Sequence, residues 1–502
     1  MYPSRPLRGP RLILLLAVAA AVLAESASTA ADLRPFETAV ADPTAFAGSD
    51  APSAFTRARA TGAAVVRLFV TWSRVAPAGS AKPAGFVATN PDDPAYDWSS
   101  VDRQVTLAVA HGLEPLLVLL SAPLWAQDRS DAQWNYADWR VDAGEFAAFA
   151  AAAGTRYRGA DRGPPRVRYW QAWNEPNLAA YLNPQYAFTG PRRPDGTRFM
   201  DPRRPVAVLR YRELLNAFAD AVHRVHADNL VVAGGLAPFS GRPSDLKWGG
   251  STAPFRFMRE LLCMSERPRL RQTCSVRVKF DVWAHHAYTS GDASHSATQA
   301  DDASLGDLPR MKALLDAAWL HKRIAGHRRP RFWITEFSWD TAPPDPQGVP
   351  LALQARWTSE ALYQSWRSGV SLLTWFLLRD QPFPAAPYQS GLWRRTNRGW
   401  GKPKPTLQAF RFPFVAYRRG AGVLTWGRTP AGQRATVLLQ QKQGERWVTL
   451  RRLTPNKTGI FSGRVTAGSD APLRAAAGGE TSIPFSLRVP PDRFFYPFGT
   501  RA

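Results

Sequence analysis

Two glutamates in this 502-residue sequence stand where an apolar run stops. Glu175 follows YWQAWN from Tyr169 and precedes Pro176, and Glu336 follows RFWIT from Arg331. Short aromatic and β-branched runs read as buried strands, whereas Asn-Glu-Pro is a combination that sheets avoid. A strand that ends on a carboxylate is a rigid mount for a reactive group. Two carboxylates so mounted can divide one reaction between a proton donor and a nucleophile.

The elements that must position them recur along the chain. Strand-like runs begin FETAVA at Phe36, AAVVRLFV at Ala63, EPLLVLLS at Glu114 and VRYWQAWN at Val167. LVVAGG at Leu230, FDVWAHH at Phe280, RFWITEF at Arg331 and VSLLTWFLL at Val370 complete eight. Between them, AGEFAAFAAAAGTRY, LRYRELLNAFADAVHRVH, PRMKALLDAAWLHKRI and LALQARWTSEALYQSW carry apolar residues at helical spacings of three and four. Alternation of strand and helix predicts a parallel sheet, and eight repeats predict a closed (β/α)8 TIM barrel. A dinucleotide-binding sheet is disfavoured, because FETAVADP lacks the Gly-rich turn expected after its first strand.

In a barrel the chemistry sits at the C-terminal ends of the strands, which is where Glu175 and Glu336 fall on the fourth and seventh. A carboxyl pair at one rim is the equipment for cleaving a glycosidic bond. One group protonates the departing oxygen and the other meets the positive charge that develops at the anomeric carbon.

The motifs carry a more specific likeness. The sequence resembles clan A, the large clan of retaining glycoside hydrolases with a (β/α)8 barrel, in which Asn-Glu-Pro closes the fourth strand. WNEPN, AHHAY and the closing segment GLWRRTNRGWGKPKPTLQAF are most similar to glycoside hydrolase family 39 or a family 5 relative. The likeness implies that Glu175 is the general acid/base and that Glu336, in Trp333-Ile334-Thr335-Glu336, is the nucleophile. It further implies that Asn174 binds the hydroxyl beside the reacting carbon, that Arg67 lies near the nucleophile, and that Tyr288 of His286-Ala287-Tyr288 donates to it. Trp375 takes the place of an aromatic platform under the reacting sugar. Taken alone, Arg67 also suits a structural ion pair, His286 and Tyr288 suit buried hydrogen bonds, and Trp375 suits barrel core. Trp125 and Trp339 are candidates for stacking on neighbouring sugars. Retaining chemistry places the carboxyl groups about 5–5.5 Å apart and needs Glu175 to start protonated. Repulsion from an ionised Glu336 is expected to supply part of the raised pKa.

Three arginines precede the apolar run LILLLAVAAAVLA, which ends in small residues. This is the layout of a secretory signal over residues 1–30, with cleavage expected after Ala24, Ala27 or Ala30. The run is about a dozen residues, short of the ~20 that span a bilayer, so no transmembrane segment is expected after cleavage and the protein is read as secreted or cell-surface. In an exported protein, Cys263 and Cys274 are expected to close a short disulfide loop, two unpaired thiols being the alternative. The formal charge of +24 is spread along the chain without a nucleic-acid-binding signature, so no nucleic acid partner is expected. Anionic cell-surface polymers are the partners that such a charge would attract outside a cell.

The barrel is assigned to residues 31–413 and a small all-β sandwich to residues 414–502, where short alternating runs are divided by Gly, Pro and Asn turns. Trp426 and Trp447 fall within those strand patterns and are read as packing residues. No cofactor is implied. A metal site at His285-His286 is rejected, since neighbouring strand residues point to opposite sides. The function expected is hydrolysis of β-glycosidic bonds in a polysaccharide or oligosaccharide. The competing reading is a non-catalytic carbohydrate-binding or cell-surface protein on the same scaffold.

Overall fold

The computed structural model describes residues 33–133, 137–240, 250–266, 273–490 and 493–495. The expected signal segment, residues 1–30, lies outside them. Among the described residues no helix is long and apolar enough to cross a membrane.

Eight parallel strands close a barrel. They are β1 (Glu37–Ala41), β2 (Val65–Thr71), β3 (Glu114–Leu120), β4 (Tyr169–Ala172), β5 (Leu230–Leu236), β6 (Val282–His286), β7 (Arg331–Phe337) and β8 (Leu372–Phe376). Each pairs with its neighbours in sequence, and β8 returns to β1 to close the ring. The expected (β/α)8 architecture is therefore present.

Alternate strand residues face two different layers. Ala39, Val65, Leu116, Val232, Val282, Ala284, Trp333 and Leu372 fill the interior, with the ring of Tyr169 set edge-on 5.3 Å from Trp333. Intervening residues such as Val66, Trp170, Trp283 and Leu373 meet the outer helices. Both faces are buried, which is why these strands read as nearly unbroken apolar runs. A helix follows every strand. Those after β3, β4, β6 and β7 span Ala143–Arg156, Val206–Val225, Leu308–Leu320 and Leu351–Arg367. The first of these is capped by Asp142, whose side chain accepts from the Glu145 amide at 2.8 Å.

From Phe414 the chain forms antiparallel sheets. Phe414–Arg419, Gly422–Arg428 and Ile460–Val465 make one. Val437–Gln443, Arg446–Leu453, Leu473–Ala477 and Glu480–Thr481 make the other. The run IPFSLRV does not form the strand that its pattern suggests. Only Phe485 makes a bridge, to Leu473, and Pro484 beside it has no N–H to extend one. Trp426 is buried against Phe36, Tyr363 and Trp366 and so joins this layer to the barrel. Trp447 is half-buried beneath the Arg474 guanidinium. Cys263 and Cys274 are disulfide-bonded, with Cα atoms 5.1 Å apart.

Candidate active site

The end of β4 is bent to present its carboxylate. Trp173 and Glu175 both have positive φ, 69° and 42°, a conformation that costs a residue with a Cβ on the order of 1–3 kcal/mol. The neighbouring structure holds it. The Trp173 amide donates to Leu119 O at 2.9 Å, and the Glu175 amide to Gly235 O at 3.1 Å. Asn177, wholly buried, donates to Ala237 O and Thr252 O and accepts from the Ala237 amide. The turn after Asn-Glu-Pro is thus tied to the loop after β5. The long segment beyond it forms a hairpin, Tyr186–Arg192 against Arg198–Pro205.

Irregularities in two strands complete the site. On β7 the register slips between Ile334 and Glu336, so Glu336 pairs with His286. Strict alternation from Trp333, which faces inward, would turn Glu336 toward the helices. The bulge re-aims it to the barrel axis. On β5 a second slip falls at Gly234 and Gly235. A Cβ on Gly235 would stand 2.5 Å from Gln171 Nε2 and 3.4 Å from His286 Nε2, so glycine leaves the room that both side chains occupy.

Arg67 organises the centre. It is wholly buried, and its guanidinium donates to Glu336 Oε2 at 2.9 Å, Asn174 Oδ1 at 2.7 Å and Gln171 Oε1 at 3.2 Å. Because the Asn174 oxygen faces Arg67, its amide nitrogen is turned the other way. Tyr288 donates to Glu336 Oε1 at 2.8 Å, so both oxygens of that carboxylate are engaged. His286 Nδ1 lies 2.8 Å from Glu175 Oε1 and 3.9 Å from Glu336 Oε2. Single ligand atoms of Glu175, His286 and Glu336 all fall within 4.8 Å of one another. They could serve a cation, but a divalent ion there would displace the bonds just described and stand beside the buried Arg67 guanidinium.

Burial sets the protonation states. It raises the Glu175 carboxyl to about 7, opposed by the positive charge of Arg67. The expected contribution from Glu336 is not among the causes. Burial likewise lowers the His286 imidazole to about 3, leaving it neutral. Tyr288 is pushed well above the usual phenol range by burial and by Glu336, so it remains a donor.

The structure brings together Glu175, Glu336, Arg67, Asn174, His286 and Tyr288. It does not bring in two of the tryptophans. Trp375 is buried on the outer face of β8, packed on Phe337 and Phe410 with its Nε1 on Ser390 O. The inward-facing residue is the next one, Phe376, which clusters with Ala41, Leu377 and Tyr388. Trp339 is also core, set against Phe337 and Trp357 with its Nε1 on Gly291 O. Trp125 is half-buried in the loop after β3, where it packs on Trp72 and Phe86 and carries Lys82 over its ring. His285 points away from the barrel axis, to Ala303 O, as strand alternation requires.

Four groups near the carboxylates escaped the sequence reading. Gln171 bridges Arg67 to Trp173 O, and the ring of Phe69 lies 4.5 Å from the Arg67 guanidinium carbon. Tyr181 and Tyr388 are both close enough to Glu175 and Glu336 for those charges to raise their phenols, after burial has done most of it. Gln171 and Phe69 were findable, at the second position along a strand from Tyr169 and Arg67. The two tyrosines come from loops and carried no signal.

No protein-family model matches the sequence, and no curated protein matches it. Among solved structures the chain is similar to a monomeric β-xylosidase from Caulobacter crescentus, at 14% identity and a TM-score of 0.48 over 87% of this chain and 94% of that one. It is similar to a GH39 enzyme from Xanthomonas axonopodis pv. citri, at 15% identity and a TM-score of 0.46 over 86% and 92%. A glucosidase from Croceicoccus marinus is similar at 13% identity and a TM-score of 0.45 over 85% and 82%.

Proposed function

We propose that this protein is a glycoside hydrolase that cleaves β-glycosidic bonds with retention of configuration. The observation that carries the reading is the pairing of two unlike carboxylates within 4.8 Å, one held by an arginine and a tyrosine and the other raised toward neutrality by burial. An approach of single carboxylate oxygens to within 4.8 Å suits the ~5–5.5 Å group separation of retaining enzymes better than the ~6.5–9.5 Å that leaves room for an inverting water.

In the first step Glu336 forms a bond to the anomeric carbon while the glycosidic C–O bond breaks. Glu175 gives its proton to the departing oxygen. Esterification removes the Glu336 charge, so the Arg67 cation acts on Glu175 without its counter-ion and lowers its pKa. Glu175 is then a base. It takes a proton from water as that water attacks the anomeric carbon and frees Glu336. Asn174 donates to the hydroxyl beside the reacting carbon, and Phe376 supplies the apolar surface beneath the ring. Export is part of the proposal, supported by the N-terminal sequence pattern and the disulfide.

The test uses aryl β-glycosides of graded leaving-group acidity. Glu336→Ala is expected to abolish turnover of all of them. Glu175→Ala is expected to spare the most activated ones, whose leaving group needs no proton. Equal loss across the series in Glu175→Ala would overturn the roles.

A further inference from the structure

A cavity of about 300 Å³ opens between the loop after β7 and the hairpin after β8, Trp393–Thr396 against Gly399–Pro403. That volume is at the small end of the range for small-molecule sites, ~300–1,000 Å³. Two consecutive residues link it to the reacting centre. Tyr388 stacks edge-on against Phe376 at 5.4 Å and feels the charges of Glu336 and Glu175, and the next residue, Gln389, lines the cavity.

The lining is positively charged. Arg394 and Arg395 both contribute to it, and both are exposed. Neighbours on a regular strand would point to opposite sides. Here the hairpin register slips between Trp393 and Arg395, which lets consecutive arginines serve one cavity. Neither forms an ion pair among the described residues. The one carboxylate in the lining, Asp380, is already taken, accepting from Lys404 Nζ at 2.6 Å and from the Gly391 amide at 2.9 Å. Lys404 is itself buried and also donates to Thr341 Oγ1 and Gln389 O, so it pins the two loops together beneath the cavity. The balance is one buried ion pair, Asp380 with Lys404, on which Arg394 acts at longer range, and an excess of positive charge from the two guanidinium groups.

One feature favours a sugar as the bearer of the matching charge. Pro343, Pro382 and Phe383 present apolar faces of the kind on which a pyranose C–H face packs.

We infer that this cavity is a subsite for an acidic sugar, in which Arg394 and Arg395 bind an oxyanion on the residue next to the scissile bond. The inference rests on the glycosidase reading and narrows its substrate to anionic glycans. Guanidinium groups match planar carboxylates in paired hydrogen bonds and also bind sulfate. The net charge of +24 would draw a polyanionic chain toward the protein in addition.

The test is calorimetric titration, which does not depend on turnover. The probes are tetragalacturonate, its fully methyl-esterified form and a sulfated carrageenan tetrasaccharide, each added to the wild-type protein and to R394Q/R395Q. The expected result is that one anionic probe binds at least tenfold tighter than the neutral ester, and that R394Q/R395Q removes this preference. Preference for tetragalacturonate identifies the oxyanion as a uronate, and preference for the carrageenan identifies it as a sulfate. Equal affinity for all three probes, or a preference that survives in R394Q/R395Q, would overturn the subsite. In wild type, the preference should shrink with added salt; if it does not, charge is not its source. Aryl-glycoside turnover separates the two readings, since its loss in Glu336→Ala bears on catalysis and leaves the titration untouched.

Discussion

Arg67 Nη1 and Glu336 Oε2 meet at 2.9 Å with the arginine wholly buried and the glutamate side chain 14% exposed. A buried cation of this kind needs its partner. It also bonds Asn174 and Gln171, so one side chain fixes the proposed nucleophile, the proposed substrate-binding amide and the interior of β4.

Arg67→Met therefore leaves an uncompensated Glu336 carboxylate and releases Asn174. Breaking a buried pair by removing one partner costs about 3–5 kcal/mol. The variant is expected to melt at a markedly lower temperature and to lose about 10²–10³ in kcat/KM, on the scale of one lost electrostatic donor. Arg67→Lys retains the charge without the three-way fork and should fall between, and thermal melts with aryl-glycoside kinetics check both.

Glu175 is expected to control the alkaline limb of kcat/KM, since its carboxyl is raised to about 7 and it must start protonated. The same shift affects stability with a definite sign. Between the ordinary value of 4.5 and about 7, the folded form holds a proton that the unfolded form has released, so stability falls as pH rises through that window. At about 1.36 kcal/mol per unit, the loss is about 3 kcal/mol, constant above pH 7. Asp42, Asp138 and Glu360 are raised into the same range, so the comparison must be with Glu175→Gln. Denaturant melts at pH 5 and pH 8 should show a smaller drop in that variant. An unchanged drop would mean that Glu175 titrates near its ordinary value.

Gly235→Ala places a methyl group 2.5 Å from Gln171 Nε2 at a φ of +59°. Strain of this kind costs about 1–3 kcal/mol. Gln171 must move, and Arg67 with it, so kcat should fall along with the melting temperature. A stability loss with intact kcat would show that Gln171 does not position Arg67.

The aromatic residues separate cleanly. Phe376→Ala should raise KM about tenfold, the scale of one lost ring contact. Trp339→Ala should instead cost about 3–5 kcal/mol of stability as a core deletion, with KM little changed in the protein that remains folded. Reversed effects would return Trp339 to the cleft.

Removing the disulfide with C263S/C274S should lower stability by about 2–4 kcal/mol, because the bond closes a short loop at the end of the helix Pro254–Leu262. Activity at low temperature should persist, and equal melts for the two proteins would show that the loop is held by its packing.

The eight strands were readable in advance because a barrel strand buries both faces, so each appears as an apolar run whatever the register. The ends of β4 and β7 were readable because Asn-Glu-Pro and Thr-Glu place a charge where such a run stops. Arg67 and Tyr288 followed from the family likeness. Register within a strand was not readable. Trp375 and Phe376 are adjacent and both aromatic, and only their packing shows that Phe376 faces the axis. Strict alternation would likewise have turned Glu336 outward, and a bulge whose existence depends on the neighbouring strand reverses that. Tyr388 lies beyond β8 in a loop with no pattern of its own, and although Arg394, Arg395 and Lys404 fall in the closing segment that carries the family likeness, nothing in that likeness placed them around one cavity. Sequence by itself determined which residues form the barrel, through side-chain burial that acts strand by strand. Which side chains converge at its mouth was decided only by the tertiary structure, because bulges and loop closures depend on contacts between residues far apart in the chain.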